Sequence, residues 1–241
     1  MTSLELNAQA LNLGQDDTAD GAAFGFDTAE SKARRALNVV VACLGLLIVS
    51  PILIGVALLV KLTSPGPILY RQVRVGRDRR SPHLPMGNHR RVIDFGGSPF
   101  TIYKFRTMAV TSARTERQVW ASQNDSRVTS LGRFLRRSRL DELPQLFNVL
   151  KGDMNIVGPR PEQPNIFASL RGQVSQYGER QRVRPGITGW AQINLHYDRD
   201  VEDVKRKVAL DLEYIARQSF MEDLKIMLGT LPVMVFKKGG W

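Results

Sequence analysis

The stretch of sequence from residue 36 to residue 60, ALNVVVACLGLLIVSPILIGVALLV, contains no charged side chain. As an α-helix, its twenty-five residues would extend about 37 Å, which is enough to cross a hydrocarbon core about 30 Å thick with some tilt. The stretch therefore predicts a helix that enters a membrane, and the rest of the chain has to fold beside it.

Ser50-Pro51 lies just past the middle of this stretch. Proline removes a backbone donor and clashes with the preceding turn, so it predicts a kinked or broken helix, and the serine can bond a freed carbonyl there. The flanks on both sides are basic, which draws both ends toward the cytoplasmic side. The basic flanking residues are Lys32, Arg34, Arg35, Lys61, Arg71 and Arg74. Two interpretations stay open on these grounds: a kinked span and a re-entrant helix.

Charge is divided unevenly along the chain, whose formal net charge is +11. The first thirty residues contain six acids and no Lys or Arg, so the remainder carries 34 basic side chains against 17 acidic ones. A basic body indicates an anionic partner: nucleic acid, an anionic membrane surface or a phosphorylated substrate. The acidic start is predicted to be disordered and lacks the pattern of a signal peptide. A single cysteine, Cys43, excludes an intrachain disulfide, and three scattered histidines disfavour zinc.

Short extended segments follow the apolar stretch. Pro65-Gly66-Pro67 predicts a turn, and the apolar positions from Ile68 to Val75 predict a strand. Residues 79–99 are predicted to form a loop, and residues 112–123 a helix. Residues 100–108, FTIYKFRTM, predict a strand that presents Lys104 and Arg106 on one face, either to water or to a ligand.

The stretch from residue 131 to residue 161 brings carboxylates close to cations. Asp141 and Glu142 follow Arg136, Arg137 and Arg139, and a Gly-Pro-Arg-Pro turn comes at residues 158–161. The pattern predicts a helix that Thr129 or Ser130 caps and that Pro144 ends or kinks after the carboxylate pair. A solvated helix face is the commoner state of an arbitrary Asp-Glu pair.

Neighbouring carboxylates on one helix point about 100° apart, so a divided role suits them better than a shared proton. One would attack a phosphate while the other holds Mg²⁺, which prefers oxygen ligands and often uses one or two carboxylates together with phosphate. Arg136 and Arg160 could clamp phosphate oxygens with their planar guanidinium groups. Beyond this site, residues 182–196 predict a loop, residues 201–220 a helix, and Leu224 to Phe236 an interfacial or core helix.

These segments together resemble the bacterial sugar transferase family, the monotopic polyprenyl-phosphate phosphoglycosyl transferases. The resemblance covers about residues 32–236 and consists of motifs in the family's order. They are the apolar helix with Ser50-Pro51, SPGPILYRQVRVG, YKFRTM, the DELPQL-to-GPRP block, RVRPGITGWAQIN and LDLEYI. The acidic start, the long 79–99 loop, and Arg137 and Arg139 in place of smaller residues are departures from the family pattern.

The resemblance implies an α-rich α+β fold in which an N-terminal re-entrant, broken membrane helix packs on a cytoplasmic catalytic domain with short β elements and interfacial helices. Residues 1–31 would form the tail, 32–62 the re-entrant helix and 63–241 the catalytic domain of a small, core-only form. The protein would lie in the bacterial inner membrane with its active site on the cytoplasmic face.

The resemblance also implies an activity: transfer of a sugar-1-phosphate from a UDP-sugar to undecaprenyl phosphate, with release of UMP, as the first step of exopolysaccharide, O-antigen or capsule assembly. Asp141 would be the nucleophile and form an aspartyl-phosphosugar, and Glu142 would bind Mg²⁺. Arg136 and Pro159-Arg160 would bind phosphate, with Lys104 and Arg106 as secondary candidates. Membrane lipids are expected partners, nucleic acid is not, and a homodimer stays open. The alternative is a membrane-anchored basic module that binds nucleic acid or an acidic polymer.

Overall fold

The computed structural model describes residues 30–79, 96–110, 125–195 and 200–236. The predictions for the acidic start, for most of the 79–99 loop and for the helix at 112–123 lie outside these described residues.

The described chain is rich in helix and contains two small sheets, which confirms the coarse α-rich α+β class. Its helices are α1 (Lys32–Thr63), α2 (Ser130–Arg137), α3 (Gln145–Lys151), α4 (Pro164–Arg171), α5 (Trp190–Asn194), α6 (Val201–Arg217) and α7 (Phe220–Phe236). Its strands are β1 (Leu69–Val75), β2 (Pro99–Phe105), β3 (Asn155–Val157) and β4 (Gly186–Thr188), and 3₁₀ turns occupy Leu140–Glu142 and Tyr177–Arg182.

Helix α1 continues without interruption through Pro51, which corrects the predicted break. Proline has no N–H to offer the carbonyl four residues earlier, which is that of Leu47. The hydroxyl of Ser50 donates to this same carbonyl at 2.9 Å. The Leu47 carbonyl therefore keeps a hydrogen-bond donor, because the Ser50 hydroxyl replaces the N–H that proline lacks.

One stripe of α1 packs against the rest of the protein along the whole length of the helix. Near its N-terminus, Ala42 joins a core cluster with Leu146 and Tyr214. Near its C-terminus, Val56 and Val60 pack against Phe105 and Leu135. The opposite face consists of exposed apolar side chains, namely Val40, Leu44, Leu47, Ile48, Ile52, Ile54, Leu58, Leu59 and Leu62. Both halves of α1 therefore contact the same globular body, and a wide apolar face remains uncovered by protein.

Buried polar contacts fasten both ends of α1. At the N-terminal end, Arg34 Nε lies 2.9 Å from Asp223 Oδ2, and Arg34 Nη2 donates to the Tyr214 hydroxyl at 2.7 Å. At the C-terminal end, Arg106 Nη2 donates to the carbonyls of Val60 and Ser64 at 3.2 and 2.7 Å. These bonds satisfy carbonyls that a helix end leaves without an intrahelical partner.

The two sheets have opposite geometries. β1 and β2, two strands that the sequence predicted, pair antiparallel from Leu69↔Phe105 to Val75↔Pro99. β3 and β4 pair parallel and lie so close that a Cβ on Gly158 would be 2.5 Å from the Arg184 carbonyl oxygen. The prediction of a loop over residues 182–196 was wrong in part, since β4 and α5 lie there.

Thr129 caps α2, as predicted, and its Oγ1 accepts the N–H of Gly132 at 2.9 Å. The prediction that this helix runs on to Pro144 was wrong, because α2 ends at Arg137. Arg139 has a φ of 59° and turns the chain into the 3₁₀ turn. Left-handed backbone ends an α-helix, and outside glycine it costs about 1–2 kcal/mol.

The Arg34–Asp223 pair generates a prediction about stability. Asp223→Asn removes the anion and leaves the Arg34 guanidinium buried without it, so we expect the free energy of unfolding to fall by about 3–5 kcal/mol. The measurement is denaturant unfolding in detergent. The matched control is Glu202→Gln, which removes one partner of a largely exposed pair on α6 and should leave unfolding unchanged. Equal behaviour of the two variants would contradict the prediction.

Candidate active site

Asp141 and Glu142 lie on the 3₁₀ turn between α2 and α3, with 7 % and 9 % of their surface exposed. The predicted alternative of a solvated helix face is therefore wrong for this pair. Successive side chains of a 3₁₀ turn point about 120° apart, so the two carboxylates face different surroundings.

Glu142 lies at the centre of a cluster of cations from three parts of the chain. Its Oε1 accepts from Lys104 Nζ on β2 at 2.6 Å and from Arg160 Nη2 in the Gly-Pro-Arg-Pro turn at 3.0 Å. Arg139 Nη1 lies 3.9 Å from Oε2. The structure thus brings together Lys104, Glu142 and Arg160, three of the predicted site residues.

The cluster keeps Glu142 ionised. Burial opposes ionisation, but the charges of Lys104, Arg160 and Arg139 outweigh it and hold the pKa of Glu142 well below its usual range. Burial likewise lowers the pKa of Lys104, against the raising effect of Glu142. Neither charge would be stable in this place without its partners.

Asp141 has a different environment. Within the described part of the chain, no hydrogen bond or ion pair engages its carboxylate. Burial, followed by the negative charge of Glu142, raises the pKa of Asp141 to about 6, against the lowering effect of Lys104, Arg136 and Arg160. A carboxylate without partners is poorly solvated and more nucleophilic than one held by cations.

Arg136 approaches the pair from the last turn of α2. Its Nε donates to Thr107 Oγ1 at 2.9 Å, which fixes the guanidinium beside the end of β2. The close approach depends on Gly132, where a Cβ would lie 2.0 Å from the Thr107 carbonyl oxygen. The Nη atoms of Arg136 have no hydrogen-bond partner among the described residues, so they can accept an anion.

The turn that carries Pro159 and Arg160 is held by its backbone. The Pro159 carbonyl accepts from the Gly186 N–H at 2.9 Å, and the Arg160 carbonyl accepts from Arg180 Nη2 at 3.1 Å. Arg180 is itself paired with Asp211 at 2.7 Å in a fully buried contact. Pro159 therefore contributes a backbone bond that fixes the turn, while Arg160 presents its side chain to Glu142.

Arg106 lies elsewhere. Its guanidinium donates to Pro65, Val60 and Ser64 at the end of α1, and only Nε is left without a partner. Phosphate binding by Arg106 stays a prediction, and its contacts indicate that it joins α1 to β2. Ser50 and Pro51 lie within α1, and no hydrogen bond among the described residues joins them to the carboxylate pair.

Glu142 is the predicted Mg²⁺ ligand. No group of three His, Cys, Asp or Glu side chains that could hold a metal occurs in the described ranges. Mg²⁺ does not require such a group, since it commonly uses one or two carboxylates, several waters and substrate phosphate. Glu142 Oε2, which lies 3.9 Å from Arg139 Nη1, fits this ligand set.

Several buried polar residues near the site were missed from the sequence. Arg180 and Asp211 form the pair behind Arg160, and Lys207 contacts Glu162 at 3.0 Å. Gln145, one turn beyond Glu142, has a buried Nε2 with no hydrogen-bond partner. Asp211 and Gln145 lie inside the LDLEYI and DELPQL motifs, and this position was the signal that could have marked them as site residues. Helical periodicity alone places such polar residues on the surface.

The described chain thus combines a helix that is long and apolar enough to cross a membrane with a pair of buried carboxylates among cations. The chain belongs to the bacterial sugar transferase family, whose model matches residues 29–237.

Relatives support the same assignment. The UDP-glucose:undecaprenyl-phosphate glucose-1-phosphate transferase of Escherichia coli K12 is 44% identical over 82% of this chain and 39% of that protein. The UDP-N-acetylgalactosamine-undecaprenyl-phosphate N-acetylgalactosaminephosphotransferase of Aeromonas hydrophila is 38% identical over 82% and 42%. The exopolysaccharide production protein PSS of Rhizobium leguminosarum is 34% identical over 82% and 92%. The chain thus spans about two fifths of the first two relatives and most of the third.

The unequal environments of the carboxylates generate a prediction about titration. In metal-free protein, we expect the Asp141 carboxyl to titrate near pH 6, above its usual range. Glu142→Gln removes the neighbouring anion and should lower this pKa. The measurement is ¹³C NMR of protein labelled at aspartate, with Glu202→Gln on exposed α6 as the control that leaves the pKa unchanged. Titration of Asp141 below pH 4 in the unaltered protein would contradict the assignment.

Proposed function

We propose that this protein transfers a sugar-1-phosphate from a UDP-sugar to undecaprenyl phosphate and so initiates assembly of an exopolysaccharide, O-antigen or capsule. The observation that carries the proposal is the unengaged, buried Asp141 carboxylate beside the cation-held Glu142, in a chain of the bacterial sugar transferase family. The names of the relatives, which include glucose and N-acetylgalactosamine transferases, support the reaction class and leave the sugar open.

The first step of the proposed reaction takes place at Asp141. A carboxylate oxygen attacks the phosphorus that carries the sugar, a P–O bond forms, and the P–O bond to the UMP phosphate breaks. UMP leaves with the electron pair of that bond. In the second step, a phosphate oxygen of undecaprenyl phosphate attacks the same phosphorus, and the aspartate carboxylate is released with both oxygens intact. A nucleophile that divides one transfer into two steps in this way explains why one of the two carboxylates has no partner.

The surrounding cations offset the negative charge that otherwise repels a carboxylate from a diphosphate. Arg160 and Lys104 contact Glu142, and Arg136 has Nη atoms without a hydrogen-bond partner among the described residues. A diphosphate at Asp141 would therefore meet donors from three parts of the chain. Mg²⁺ held by Glu142 would neutralise further diphosphate charge. With a pKa raised to about 6, Asp141 is a stronger base than an ordinary aspartate and is still mostly ionised at neutral pH.

The packing of α1 supports a location on one side of a membrane. Both halves of α1 contact the globular body, whereas a helix that crosses a bilayer would carry its far half away from a domain on the near side. Exposed apolar side chains also stand on helices that contact α1, including Phe134 on α2, Phe147 on α3, and Leu228 and Leu231 on α7. We infer that these surfaces enter one leaflet of the bacterial inner membrane among its lipids, with the active site on the cytoplasmic face.

The alternative of a basic module that binds nucleic acid or an acidic polymer depended on net charge. The cations nearest to the carboxylate pair are engaged with Glu142, and no described contact favours a polymer. A homodimer stays a prediction.

The covalent step generates a prediction that needs no acceptor. When the protein is incubated with a panel of UDP-sugars and Mg²⁺ alone, we expect one UMP per protein molecule and a mass increase of one phosphosugar. Asp141→Asn should show neither, because an amide is a poor nucleophile. Adding undecaprenyl phosphate should restore the original mass and allow continued UMP release.

Glu202→Gln is the matched control for this experiment. Glu202 is exposed on α6 and pairs with Lys205, so its loss should leave the adduct unchanged. UMP release from Asp141→Asn at the rate of the unaltered protein would remove Asp141 as nucleophile.

The location of α1 generates a prediction about labelling. Cysteines introduced at Lys32 and Lys61, two exposed and charged positions at opposite ends of α1, should both react with a membrane-impermeant maleimide in inside-out vesicles and neither in intact spheroplasts. The background is Cys43→Ser, and a cysteine at exposed Lys205 reports the side of the globular body. Labelling of the two ends from opposite sides would contradict the one-sided arrangement.

A further inference from the structure

Asn38 is a buried polar residue on the packed stripe of the apolar helix α1. Its side chain has only 1 % of its surface exposed. Its Nδ2 donates to the Arg34 carbonyl of the preceding helical turn at 2.8 Å. Its Oδ1 accepts the backbone N–H of Ile156, in β3, at 2.6 Å. One amide therefore connects the membrane helix to a strand that is 118 residues away in sequence.

The hydrogen bond from Ile156 to Asn38 satisfies a backbone N–H that does not face β4. Asn155 donates its N–H to the Pro185 carbonyl on the β4 side at 2.9 Å. Because successive N–H groups of a strand point to opposite sides, the N–H of Ile156 points away from β4 and toward α1. Ile156 is buried, and a buried N–H without an acceptor would cost about 1–3 kcal/mol.

The strand that Asn38 holds leads directly to the site. Val157 follows Ile156, and the turn of Gly158, Pro159 and Arg160 begins at the next residue. Arg160 Nη2 then reaches Glu142 at 3.0 Å. Only three residues separate the backbone bond to Asn38 from the cation that faces the carboxylate pair, so a shift of the strand edge would move Arg160.

A second contact from the same end of α1 reaches the same strand. Arg34 Nη2 donates to the Tyr214 hydroxyl at 2.7 Å, and that oxygen lies 3.2 Å from the Val157 carbonyl. Polar atoms of α1 therefore reach the short strand by two routes, directly through Asn38 and indirectly from Arg34 through the Tyr214 hydroxyl, although the apolar character of the helix would suggest only lipid contact and packing.

We propose that Asn38 is a positioning residue of the transferase site, which acts through the Ile156 N–H to set the place of Arg160. The inference rests on the proposed function, since Arg160 matters only if a diphosphate binds at Asp141. On this basis α1 is a structural part of the site as well as a membrane element.

Two variants of Asn38 distinguish the loss of the hydrogen-bond acceptor from a change in side-chain volume. Asn38→Leu keeps a similar size and removes the acceptor, so we expect kcat/KM for the UDP-sugar to fall about 10- to 100-fold, the order seen when a small displacement misplaces a reacting group. Asn38→Asp keeps an oxygen acceptor and should retain more activity than Asn38→Leu. Thr63→Val is the matched control, because Thr63 bonds only the Leu59 carbonyl within α1 and should keep full activity.

A double-mutant cycle with Arg160→Lys tests the route through Arg160. If Asn38 acts by placing the guanidinium fork, Asn38→Leu should reduce kcat/KM by a much smaller factor in the Arg160→Lys background than in the unaltered protein. A general loss of stability would reduce both backgrounds by the same factor. Equal factors, or full activity of Asn38→Leu, would overturn the proposal.

Amide hydrogen exchange tests the contact between Asn38 and Ile156 without depending on the proposed reaction. Asn38→Leu should speed exchange at Ile156, and Thr63→Val should not, whichever reaction the protein catalyses. If the unaltered protein released no UMP from any UDP-sugar, the proposed function would fail while faster exchange at Ile156 would still support the contact. Unchanged exchange at Ile156 would overturn the positioning role even in an active enzyme.

Discussion

The buried negative charge of Glu142 is the constraint around which the described site is built. A carboxylate in this position is stable only if cations reach it, and each cation comes from a different part of the fold. Lys104 requires β2 to pass beside the 3₁₀ turn, and Arg160 requires β3 to deliver the Gly-Pro-Arg-Pro turn to the same point. Two elements far apart in sequence thus meet at one carboxylate, and their meeting places Asp141 among the cations without giving it one of its own.

The two faces of helix α1 have different surroundings, and the sequence of each face fits its own. Between the basic residues at its two ends, its exposed face is largely apolar and needs a covering such as lipid. Its packed stripe carries Arg34 and Asn38, which would be costly in lipid and are satisfied by Asp223, Tyr214 and the backbone of β3. The Ser50 hydroxyl, by occupying the Leu47 carbonyl, lets this stripe continue past Pro51. A simple spanning anchor would need none of these polar contacts.

Local patterns predicted much of this fold. The length of α1, the alternation in β1 and β2, the Thr129 cap and the apolar period of α6 are properties of short windows, and all four are present. The end of α2 could not be predicted, because the left-handed turn that follows it falls on Arg139 and not on a glycine, so no local pattern marks it. β3 and β4 are three residues each and gain their stability from one another and from Asn38, so no local pattern marks them. For the site, the sequence motifs identified the residues near the carboxylates. The sequence did not distinguish Lys104 from Arg106, and only the packing shows that Lys104 contacts Glu142 whereas Arg106 binds the end of α1.

The difference between the two carboxylates follows from the 3₁₀ turn that carries them. Adjacent anions repel each other. Cations bound equally to both carboxylates would lower both pKa values and leave neither carboxylate a good nucleophile. Lys104 and Arg160 contact Glu142 directly, whereas Asp141 lies near the same cations without a bond to any of them within the described residues. The cations therefore stabilise the charge of Glu142, while the pKa of Asp141 stays raised. A diphosphate that bound at Asp141 would compete with Glu142 for Arg160 and Lys104, and Mg²⁺ on Glu142 would offset the loss of those cations. In this arrangement the proposed metal ligand therefore also serves, before substrate binds, as the group that holds the phosphate-binding cations in position.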